Sequence, residues 1–372
     1  MKITVERGTL LKSLGRVQGI VERRNTIPIL SHMLLLAKDG RLSITATDLD
    51  IEIMESLVVD MATEGVATVP AHIFYDVVRK LPEGAQVELN YNNKEGRIDL
   101  VAGRSRFMLQ SLPKDDFPAA ADNTLPCSFV LPATSLSRLI QKTRTAISTD
   151  ETRYYLNGVY LHSTEGKVGP VLRAVATDGH RLARVDLPLP EGAADMPGVI
   201  LPRKTAMELQ KMMEGITAEV SISLSNTRIR FEFDDVVLTS KLIDGKFPDY
   251  ERVIPEGNDK SMSVSAAVFS DTVDRVAIIL SEKSRSVKLS MEQGHLTLSA
   301  SSPESGSAIE ELGVAYEGGP LEIGFNAGYL MDITGQFQGD MACFELADSG
   351  SPTIIRDSED DTVLYVLMPM RV

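Results

Sequence analysis

One dense cluster of polar side chains in the sequence has residue types that could do chemistry: Thr177-Asp178-Gly179-His180-Arg181. An imidazole, a carboxylate and a guanidinium can act as a base, its orienting partner and a cationic stabiliser. Neighbouring residues on a strand point to opposite faces, so Asp178 and His180 share a side only if Gly179 does not turn the chain. The run is therefore more typical of a turn or a ligand-facing surface loop, and no catalytic residue is assigned.

Other signatures of catalysis and of cofactor binding are absent from the sequence. No P-loop, GxGxxG turn, HExxH or GxSxG motif occurs. Cys127 and Cys343 are the only cysteines and have no partner at ligand spacing, so we predict neither a disulfide nor a zinc site, and we expect both to be small buried side chains. No metal or cofactor is expected.

The elements that would position reactive side chains repeat three times along the 372 residues. Each copy opens on the end of a strand and continues with apolar residues at helical spacing. The aligned residues are Val5, Leu10, Leu14 and Val17, then Leu131, Leu136, Ile140 and Thr143, then Val264, Phe269, Val273 and Val276. A second series is centred on Val69-Pro70, Leu201-Pro202 and Phe325-Asn326. An enzyme seldom needs three copies of its scaffold, whereas a protein that encircles or tracks a long partner does.

Periodicity and turn residues predict an α+β architecture of three tandem similar domains. Six helical segments are predicted, at 7–18, 71–81, 133–147, 202–214, 266–283 and 326–338. Alternating apolar residues between them predict antiparallel strands, and each module lays two helices on one sheet face. Glycine is expected to supply positive φ in turns at Asp39-Gly40, Glu95-Gly96, Glu165-Gly166 and Gln293-Gly294.

Two proline-rich and acid-rich junctions divide the modules. They span residues 112–126 and 242–260, and each contains a Phe-Pro pair, at Phe117-Pro118 and Phe247-Pro248. The predicted domains are therefore residues 1–124, 125–254 and 255–372.

Charge is sorted by element type, although the whole chain has a net charge of −14. The six helical segments hold 13 basic and 7 acidic residues, a net of +6, which leaves a net of −20 elsewhere. One explanation is that acidic residues simply gather in turns. The other is a basic helical surface inside an acidic shell, since Arg7, Lys12 and Arg16 lie off the apolar stripe of the first helix and can meet phosphates without reading bases.

The two ends of the chain bear on compartment and on partners. The amino terminus has no apolar stretch after a basic start, and no segment approaches the roughly 18 to 20 apolar residues of a membrane span, so a cytoplasmic protein without a membrane partner is expected. The sequence to Val366 predicts a last buried strand. The following Met368-Pro369-Met370 is typical of an exposed, adaptable surface that suits several peptide partners.

Short segments in a fixed order carry a family resemblance over the whole chain. They are Val5-Glu6-Arg7 with Leu10-Leu11-Lys12, Thr26-Ile27-Pro28-Ile29-Leu30, Ala46-Thr47-Asp48-Leu49, Gly103-Arg104-Ser105-Arg106-Phe107, Arg153-Tyr154-Tyr155-Leu156-Asn157-Gly158, Ala176-Thr177-Asp178-Gly179-His180-Arg181-Leu182, Thr239-Ser240-Lys241-Leu242, Phe247-Pro248-Asp249-Tyr250 and Met368-Pro369-Met370-Arg371. Each is weak alone, but in this order they resemble the bacterial DNA polymerase III beta subunits, the sliding clamps.

The resemblance implies a non-catalytic processivity factor with a DNA clamp fold. Two chains of three domains each would form a homodimeric ring around duplex DNA, with helices lining the hole and sheets outside, and would tether the replicative polymerase. Implied partners are a second copy of the chain, double-stranded DNA without sequence specificity, a clamp loader, the DNA polymerase III alpha subunit and other proteins with a clamp-binding motif. The head-to-tail interface would join Phe107 and Leu109 to Ile278, Ile279 and Leu280, although these isoleucines could be ordinary core.

The resemblance also assigns binding residues. The partner-peptide pocket would consist of Leu156, Thr177, Gly179, His180, Arg181, Leu182, Pro248, Val253, Val366, Met368, Pro369 and Met370. DNA contact would fall on Arg24, Tyr154 and Tyr155, with diffuse attraction from Arg7, Lys12, Arg138, Lys142 and Arg203. Tyr154 and Tyr155 could instead be strand residues that pack on the sheet. Segment 326–338 has no Lys or Arg and segment 266–283 is net negative, so uneven DNA contact is expected.

Two other functions stay open at this point. One is a three-domain adaptor that uses the same apolar pocket without encircling DNA. The other is a hydrolase or transferase that uses Asp178, His180 and Arg181. Mass separates the ring from the adaptor, because a ring requires an oligomer.

Overall fold

The computed structural model describes residues 1–118, 124–281 and 285–371. Part of the predicted junction 112–126, the last two residues of the predicted helix 266–283, and Val372 lie outside the described residues. The chain forms two compact units, one of residues 1–134, 191–195 and 208–242, the other of residues 135–190, 196–207 and 243–371. The three domain boundaries read from the sequence remain a prediction.

Within the described residues, six α-helices lie where six were predicted. They are α1 (Arg7–Val17), α2 (Ala71–Lys80), α3 (Ala133–Thr143), α4 (Arg203–Met213), α5 (Ala266–Ala277) and α6 (Ala327–Thr334). Each ends earlier than predicted. In α5 the reason is a tightened last turn, in which Ile278 N donates to Arg275 O and Leu280 N donates to Ala277 O. No described helix is long and apolar enough to cross a membrane.

The apolar residues that define the first repeat series form the core. All twelve aligned positions are at most 5% exposed. Burying one aliphatic or aromatic side chain contributes about 1.5–3 kcal/mol, so this stripe is sufficient to hold each helix on its sheet. The repeat predicted from spacing is therefore a repeat of core positions.

The first unit contains two antiparallel sheets. The five-stranded sheet has the order β5 (Asp60–Thr63), β1 (Lys2–Glu6), β7 (Gln86–Asn92), β8 (Arg97–Ala102), β9 (Ser105–Gln110). The eight-stranded sheet has the order β10 (Cys127–Pro132), β15 (Glu219–Leu224), β16 (Arg228–Phe233), β17 (Val236–Lys241), β4 (Ile51–Val58), β3 (Arg41–Thr47), β2 (His32–Lys38), β6 (Gly65–Pro70).

The second unit also contains two antiparallel sheets. The nine-stranded sheet has the order β14 (Val199–Pro202), β11 (Gly158–Glu165), β12 (Pro170–Thr177), β13 (Arg181–Pro188), β26 (Val363–Leu367), β25 (Thr353–Asp357), β24 (Met341–Leu346), β18 (Lys260–Ser265), β22 (Ala315–Tyr316). The four-stranded sheet has the order β21 (Gly306–Gly313), β20 (His295–Ser302), β19 (Ser286–Glu292), β23 (Leu321–Asn326). The predicted last strand is β26, and all five of its residues are buried.

Two equivalent strand pairs join successive repeats. In the first unit β4 pairs with β17, with Ile51 opposite Ser240 and Glu52 opposite Thr239. In the second unit β13 pairs with β26, with Arg181 opposite Leu367 and Leu182 opposite Val366. Since both pairs join corresponding strands in the same register, each junction between repeats is a continuous sheet.

The turn glycines behave as predicted at three of four places. Gly40, Gly96 and Gly294 have φ of 75°, 59° and 75°, the left-handed region that glycine adopts without a steric cost. The prediction for Glu165-Gly166 is wrong, because Gly169 holds the positive φ there, at 138°. The longer turn closes with Gly166 N donating to Gly169 O at 2.8 Å.

The cysteines are free and only half-buried, which corrects the prediction that both are small buried side chains. Cys127 Sγ lies 3.5 Å from Gly192 O and Cys343 Sγ lies 3.5 Å from Ser263 Oγ. Cys343 alternates with the buried Ala342 and Phe344 on β24, so it faces away from the core. Cys127 is the first residue of β10, on the same face as the buried Phe129 and Leu131, and is covered less because it lies at the end of the strand. In the part of the chain that the structure describes, no group of three or more His, Cys, Asp or Glu residues is placed to hold a metal.

Candidate functional site

The polar cluster of residues 177–181 is a turn between β12 and β13. Thr177 Oγ1 donates to Arg181 O at 2.7 Å and accepts from Gly179 N at 3.1 Å. Asp178 Oδ1 accepts from the backbone N–H groups of His180 and Arg181, both at 2.9 Å. Gly179 has φ of 88°, so it does turn the chain. The Asp178 carboxylate is thus used by the turn, and His180 lies exposed beside it.

The floor of the predicted peptide pocket is a buried apolar cluster. Leu156, Leu182 and Val366 are 2–4% exposed and belong to one cluster. The other buried members of this cluster, which were not predicted as pocket residues, are Val175, Ile200, Phe247, Tyr250, Ile354 and Leu364. Their contribution depends on strand pairs far apart in sequence, so only the register of β13, β26 and β25 could have revealed it.

The rim of the pocket is apolar and exposed. Val253, Met368 and Met370 are 48%, 39% and 39% exposed, Pro248 is exposed and Pro369 is half-buried. Backbone bonds hold this segment against the turn, since Met368 N donates to His180 O at 2.9 Å and Met370 N donates to Gly324 O at 2.8 Å. Exposed thioethers above a buried floor are an adaptable apolar surface for a peptide.

Arg181 is held rigidly at the side of this pocket. Its Nη1 lies 2.6 Å from Asp332 Oδ2, its Nε lies 3.1 Å from Asp178 Oδ2, and its guanidinium carbon lies 4.0 Å from the centre of the Tyr329 ring. Burial raises the pKa of the Tyr329 hydroxyl. Tyr329 and Asp332, both on α6, were missed as pocket residues. Asp332 was recognisable from the sequence, because an acidic residue follows each of the pairs that define the second repeat series by six residues: Asp76, Glu208 and Asp332.

A buried ion pair supports the pocket floor from below. Arg173 is 4% exposed and makes two bonds to Asp186, from Nε at 2.7 Å and from Nη2 at 2.9 Å. Its Nη1 donates to Tyr250 Oη at 3.2 Å and to Glu251 Oε1 at 3.1 Å. Burial alone would lower the pKa of Arg173, but the bonds to Asp186 and Tyr250 raise it overall.

We expect Asp186→Ala to lower the free energy of unfolding by about 3–5 kcal/mol, because it leaves a buried guanidinium without its main partner. Urea unfolding followed by circular dichroism measures this loss. The matched control is Asp249→Ala, which breaks the exposed Arg252–Asp249 pair, with side chains 84% and 58% exposed, and should barely move the midpoint. Equal midpoints for the two variants would show that the buried pair contributes no more than a surface pair.

Two of the cations predicted to contact DNA instead bond to other residues of the second unit. Lys142 is 3% exposed and its Nζ donates to Gln336 O, and burial lowers the pKa of this amine. Arg138 Nη2 lies 2.7 Å from Asp360 Oδ2 and also donates to Thr362 Oγ1. The assignment of Lys142 to a phosphate-facing surface is therefore corrected: its amine is buried on a backbone carbonyl.

The other predicted cations differ in how free they are. Arg7 is half-buried and donates to the carbonyls of Val78 and Arg79, at 3.1 and 2.6 Å, so it caps the carboxyl end of α2. The remaining three, Lys12, Arg24 and Arg203, are exposed, and their side chains make no ion pair with a described residue. These three remain available for phosphates.

The adjacent tyrosines lie on a 3₁₀ segment, Glu151–Leu156, and not on a strand. Tyr154 is 54% exposed, whereas Tyr155 is half-buried and packs against the pocket-floor cluster. The two rings meet edge to face at 5.7 Å. The alternative of strand residues is therefore excluded, and Tyr154 is the better candidate for a nucleic-acid contact.

The net positive charge of the helices is the same with the observed boundaries as with the predicted ones. Helices α1 to α6 hold 11 basic and 5 acidic residues, a net of +6. Much of this charge is paired within each unit, for example Arg16 with Glu55 at 3.1 Å and Arg275 with Glu310 at 2.6 Å. The positive surface is consequently carried by fewer side chains than the sequence count suggests.

The predicted interface residues divide into exposed and buried groups. Ile278 is 76% exposed, while Ile279 and Leu280 are half-buried in the turn after α5. On β9 Phe107 is half-buried, Met108 is 64% exposed and Leu109 is 7% exposed. Leu109 thus already contributes to the core of the first unit, whereas Ile278 has no such burial.

Comparison with known proteins agrees with this geometry. Sequence models of the N-terminal, central and C-terminal domains of the DNA polymerase III beta subunit match residues 1–121, 130–249 and 251–371. The beta sliding clamp of Caulobacter vibrioides is 52% identical over 372 residues and that of Escherichia coli K12 is 40% identical over 373, with both chains covered completely in each case.

Solved structures agree at the level of the fold. A DnaN sliding clamp from Bartonella birtlesii, bound to griselimycin, superposes with a TM-score of 0.97 at 50% identity, over 100% of both chains. A Caulobacter crescentus beta sliding clamp, with polyethylene glycol bound to a putative beta-motif tethering region, also gives 0.97, at 52% identity over 100% of this chain and 99% of that one. With its three repeats and this full-length similarity, the chain has the three-domain beta clamp fold and belongs to the DNA polymerase III beta subunit family, the beta sliding clamps.

Proposed function

We propose that this sliding clamp acts as a closed ring of two chains around duplex DNA and tethers the replicative polymerase through the pocket above the turn of residues 177–181. The ring would catalyse nothing. It would hold its partners close to DNA, which raises the effective concentration of a polymerase at the primer end. Because its proposed ligand is chromosomal DNA, its proposed compartment is the cytoplasm.

The observation that supports the ring best is an edge strand in the first repeat and another in the third repeat. In the described residues β4 pairs with β17 and β13 pairs with β26, whereas the corresponding strands β21 and β9 each end a sheet. An edge strand presents unpaired backbone groups to another chain. Pairing β21 of one chain with β9 of a second chain would repeat the same junction, and a heterologous contact of this kind closes when the rotation allows.

The repeat also gives a register for the proposed interface. Ile53 lies opposite Leu238 and Ala183 lies opposite Tyr365, and the corresponding residues at the open edges are Ala308 and Phe107. Ile309, 70% exposed on β21, would then be covered. β21 could not be assigned to the interface from the sequence alone, because an edge strand is recognised only once its sheet is known.

The proposed contact with DNA is weak and blind to sequence. Lys12, Arg24, Arg203 and Tyr154 are the exposed candidates, and side chains of this kind contact phosphates and sugars without reading bases. A chain with a net charge of −14 would repel phosphates elsewhere on its surface. Weak contact would permit sliding, and escape would require opening an interface, which is the proposed role of a clamp loader.

The pocket would receive short peptides that contain Gln and a Leu or Phe side chain. Its buried floor of Leu156, Leu182 and Val366 and its exposed rim of Met368 and Met370 suit one apolar anchor with adaptable contacts around it. The DNA polymerase III alpha subunit, the clamp loader and other clamp-binding proteins are the proposed owners of such peptides. The adaptor and enzyme alternatives are not favoured, because full-length relatives are beta sliding clamps.

Retention on circular DNA tests this function. The protein is loaded onto a nicked circle by a matched clamp loader with ATP and washed with high salt, and the circle is then cut once. We expect retention through the wash and release only after the cut, since electrostatic contacts weaken steeply with salt but a closed ring does not. If the protein washes off circular and linear DNA alike, its attachment is electrostatic and the encircling ring is refuted.

A further inference from the structure

The junction between the first two repeats reproduces the backbone frame of the peptide pocket. In the turn between β3 and β4, Thr47 Oγ1 donates to Ile51 O at 2.9 Å and accepts from Leu49 N at 3.0 Å. Asp48 Oδ1 accepts from the backbone N–H groups of Asp50 and Ile51 at 2.9 and 2.7 Å. These are the same four bonds that Thr177 and Asp178 make.

The adjoining strand is fixed in the same way at both junctions. Lys241 N donates to Asp50 O at 2.8 Å, and Met368 N donates to His180 O at 2.9 Å. Leu49, with φ of 80°, occupies the place of Gly179, with φ of 88°. The two junctions are therefore one backbone template used twice, each within a single compact unit.

The side chains on this template differ completely in chemistry. At the peptide pocket one row across the sheet is Leu182, Val366 and Ile354, paired in register. At the first junction the same row is Glu52, Thr239 and Arg230. Beside it, Arg228 lies opposite Lys241. An apolar floor has been replaced by a charged one.

These side chains line a pocket of about 310 Å³ in the first unit. Leu49, Pro118 and Thr239 also line it, and Leu49 is 46% exposed. A leucine at positive φ is sterically unfavourable, whereas glycine at the equivalent place avoids that cost. The pocket thus has an apolar edge beside its charged floor.

The charges in this pocket favour an anionic ligand. Three cations, Arg228, Arg230 and Lys241, face two carboxylates. Lys241 is paired with Asp50 at 3.0 Å. Arg230 makes an exposed ion pair with Glu232 at 3.6 Å and has a buried Nε without a hydrogen-bond partner among the described residues. Arg228 makes no ion pair with a described residue. Arg228 and Arg230 are two residues apart on β16 and so project from the same face. Burial raises the pKa of Glu52 and both arginines oppose this shift.

We propose that this first-junction pocket is a second peptide site that takes a short acidic segment of a partner protein. A ligand carboxylate would bind Arg228 and Arg230, and a neighbouring apolar side chain would rest on Leu49 and Pro118. A peptide is favoured over nucleic acid because Asp50 and Glu52 repel a polyphosphate, while a single carboxylate needs only the two arginines. This proposal rests on the proposed function in one respect: the same backbone template forms a peptide pocket at the turn of residues 177–181 in the proposed function.

The test is fluorescence anisotropy of the full-length protein with a short, fluorescein-labelled, carboxyl-amidated peptide of alternating Glu and Leu. We expect saturable binding that weakens about tenfold or more when Gln replaces Glu in the peptide, because charge-assisted hydrogen bonds are lost. Arg228→Gln with Arg230→Gln should weaken binding by a similar factor. Glu52→Gln should strengthen it, because a repelling carboxylate is removed, and a purely structural role predicts no such gain.

Two controls separate this site from net charge and from the other pocket. Lys38→Gln with Lys94→Gln removes the same charge from the same unit away from the pocket and should leave binding unchanged, as should Met368→Ala. Binding that survives Arg228→Gln with Arg230→Gln, or that vanishes in Met368→Ala, would overturn the proposal. Complete competition by a short DNA duplex at equal charge concentration would likewise overturn it in favour of a phosphate site. A chain that fails to form the ring, or that fails to bind polymerase peptides, should still give the same anisotropy change with the acidic peptide.

Discussion

Replacing Ile278 and Ile279 by Asp should convert the proposed dimer into monomers. Ile278 is 76% exposed in the single chain, and a solvent-facing isoleucine at the end of α5 has no packing role there. If the interface covers it, two carboxylates would be taken out of water without partners, at several kcal/mol each. Light scattering should then give the mass of one chain at concentrations at which the unmodified protein gives the mass of two.

The matched control places the same two charges elsewhere in the second unit. Val168→Asp with Val268→Asp alters side chains that are 102% and 48% exposed and that lie outside the proposed interface, so this variant should stay dimeric. A second variant approaches the interface from the other side, since Phe107→Asp on β9 should also give monomers. Dimers in both interface variants would refute the proposed contact between β9 and the end of α5.

A monomer produced in this way separates two parts of the proposed function. The peptide pocket lies wholly in the second unit, and its floor does not include α5. The monomer should therefore bind polymerase peptides with unchanged affinity and yet wash off circular DNA in high salt. In the proposed function, tethering and encirclement would therefore depend on different residues.

The helices and the repeat were predictable because the signal is local. Leu10, Leu14 and Val17 are buried at helical spacing, as are their counterparts in the other copies, so the pattern identifies both the helix and the face that packs. Helix ends were less accurate. The last turns of α3 and α5 tighten into 3₁₀ geometry, and hydrophobic spacing does not distinguish this from another α-helical turn.

Which cations are free was not predictable from the sequence. Lys142 and Lys12 both lie on helices beside apolar stripes, yet Lys142 is buried on the Gln336 carbonyl and Lys12 is exposed. The difference arises from a segment 194 residues away in the chain, which no local pattern contains. The same holds for Arg138, whose partner Asp360 follows β25.

The two junction turns show a signal that was present but incompletely used. Thr47-Asp48 and Thr177-Asp178 appear in the sequence at corresponding places, and a Thr-Asp pair whose side chains bond to the backbone of the next residues predicts a turn. What the pair cannot predict is the chemistry of the strand beside it. Only the register shows that Thr239 and Val366 occupy the same position on the two templates.

Deleting residues 368–372 should abolish binding of polymerase peptides and leave the dimer intact. Met368 and Met370 form the exposed rim of the pocket, and their backbone N–H groups bond to His180 O and Gly324 O, so the deletion removes a wall of the pocket without removing a residue of β9, β21 or the end of α5. Arg371, which is also deleted, lines a surface pocket with Ser307 and Ile309 of β21. A bound peptide would cover two methionine side chains that are 39% exposed in the free chain, so losing both contacts, each worth about 1 kcal/mol, should weaken peptide binding by about 30-fold or more. Anisotropy with a labelled clamp-binding peptide measures the loss, and light scattering measures the dimer.

The matched control deletes only residues 371 and 372, which keeps both methionines and should keep peptide affinity. Met368→Ala with Met370→Ala preserves the backbone bonds to His180 and Gly324, so it separates the loss of side-chain contact from the loss of the terminal segment. Strong binding by both the deletion and the double alanine variant would move the peptide site away from this pocket. If only the deletion variant loses peptide binding, the terminal backbone positions the turn of residues 177–181, and the methionine side chains do not contact the peptide.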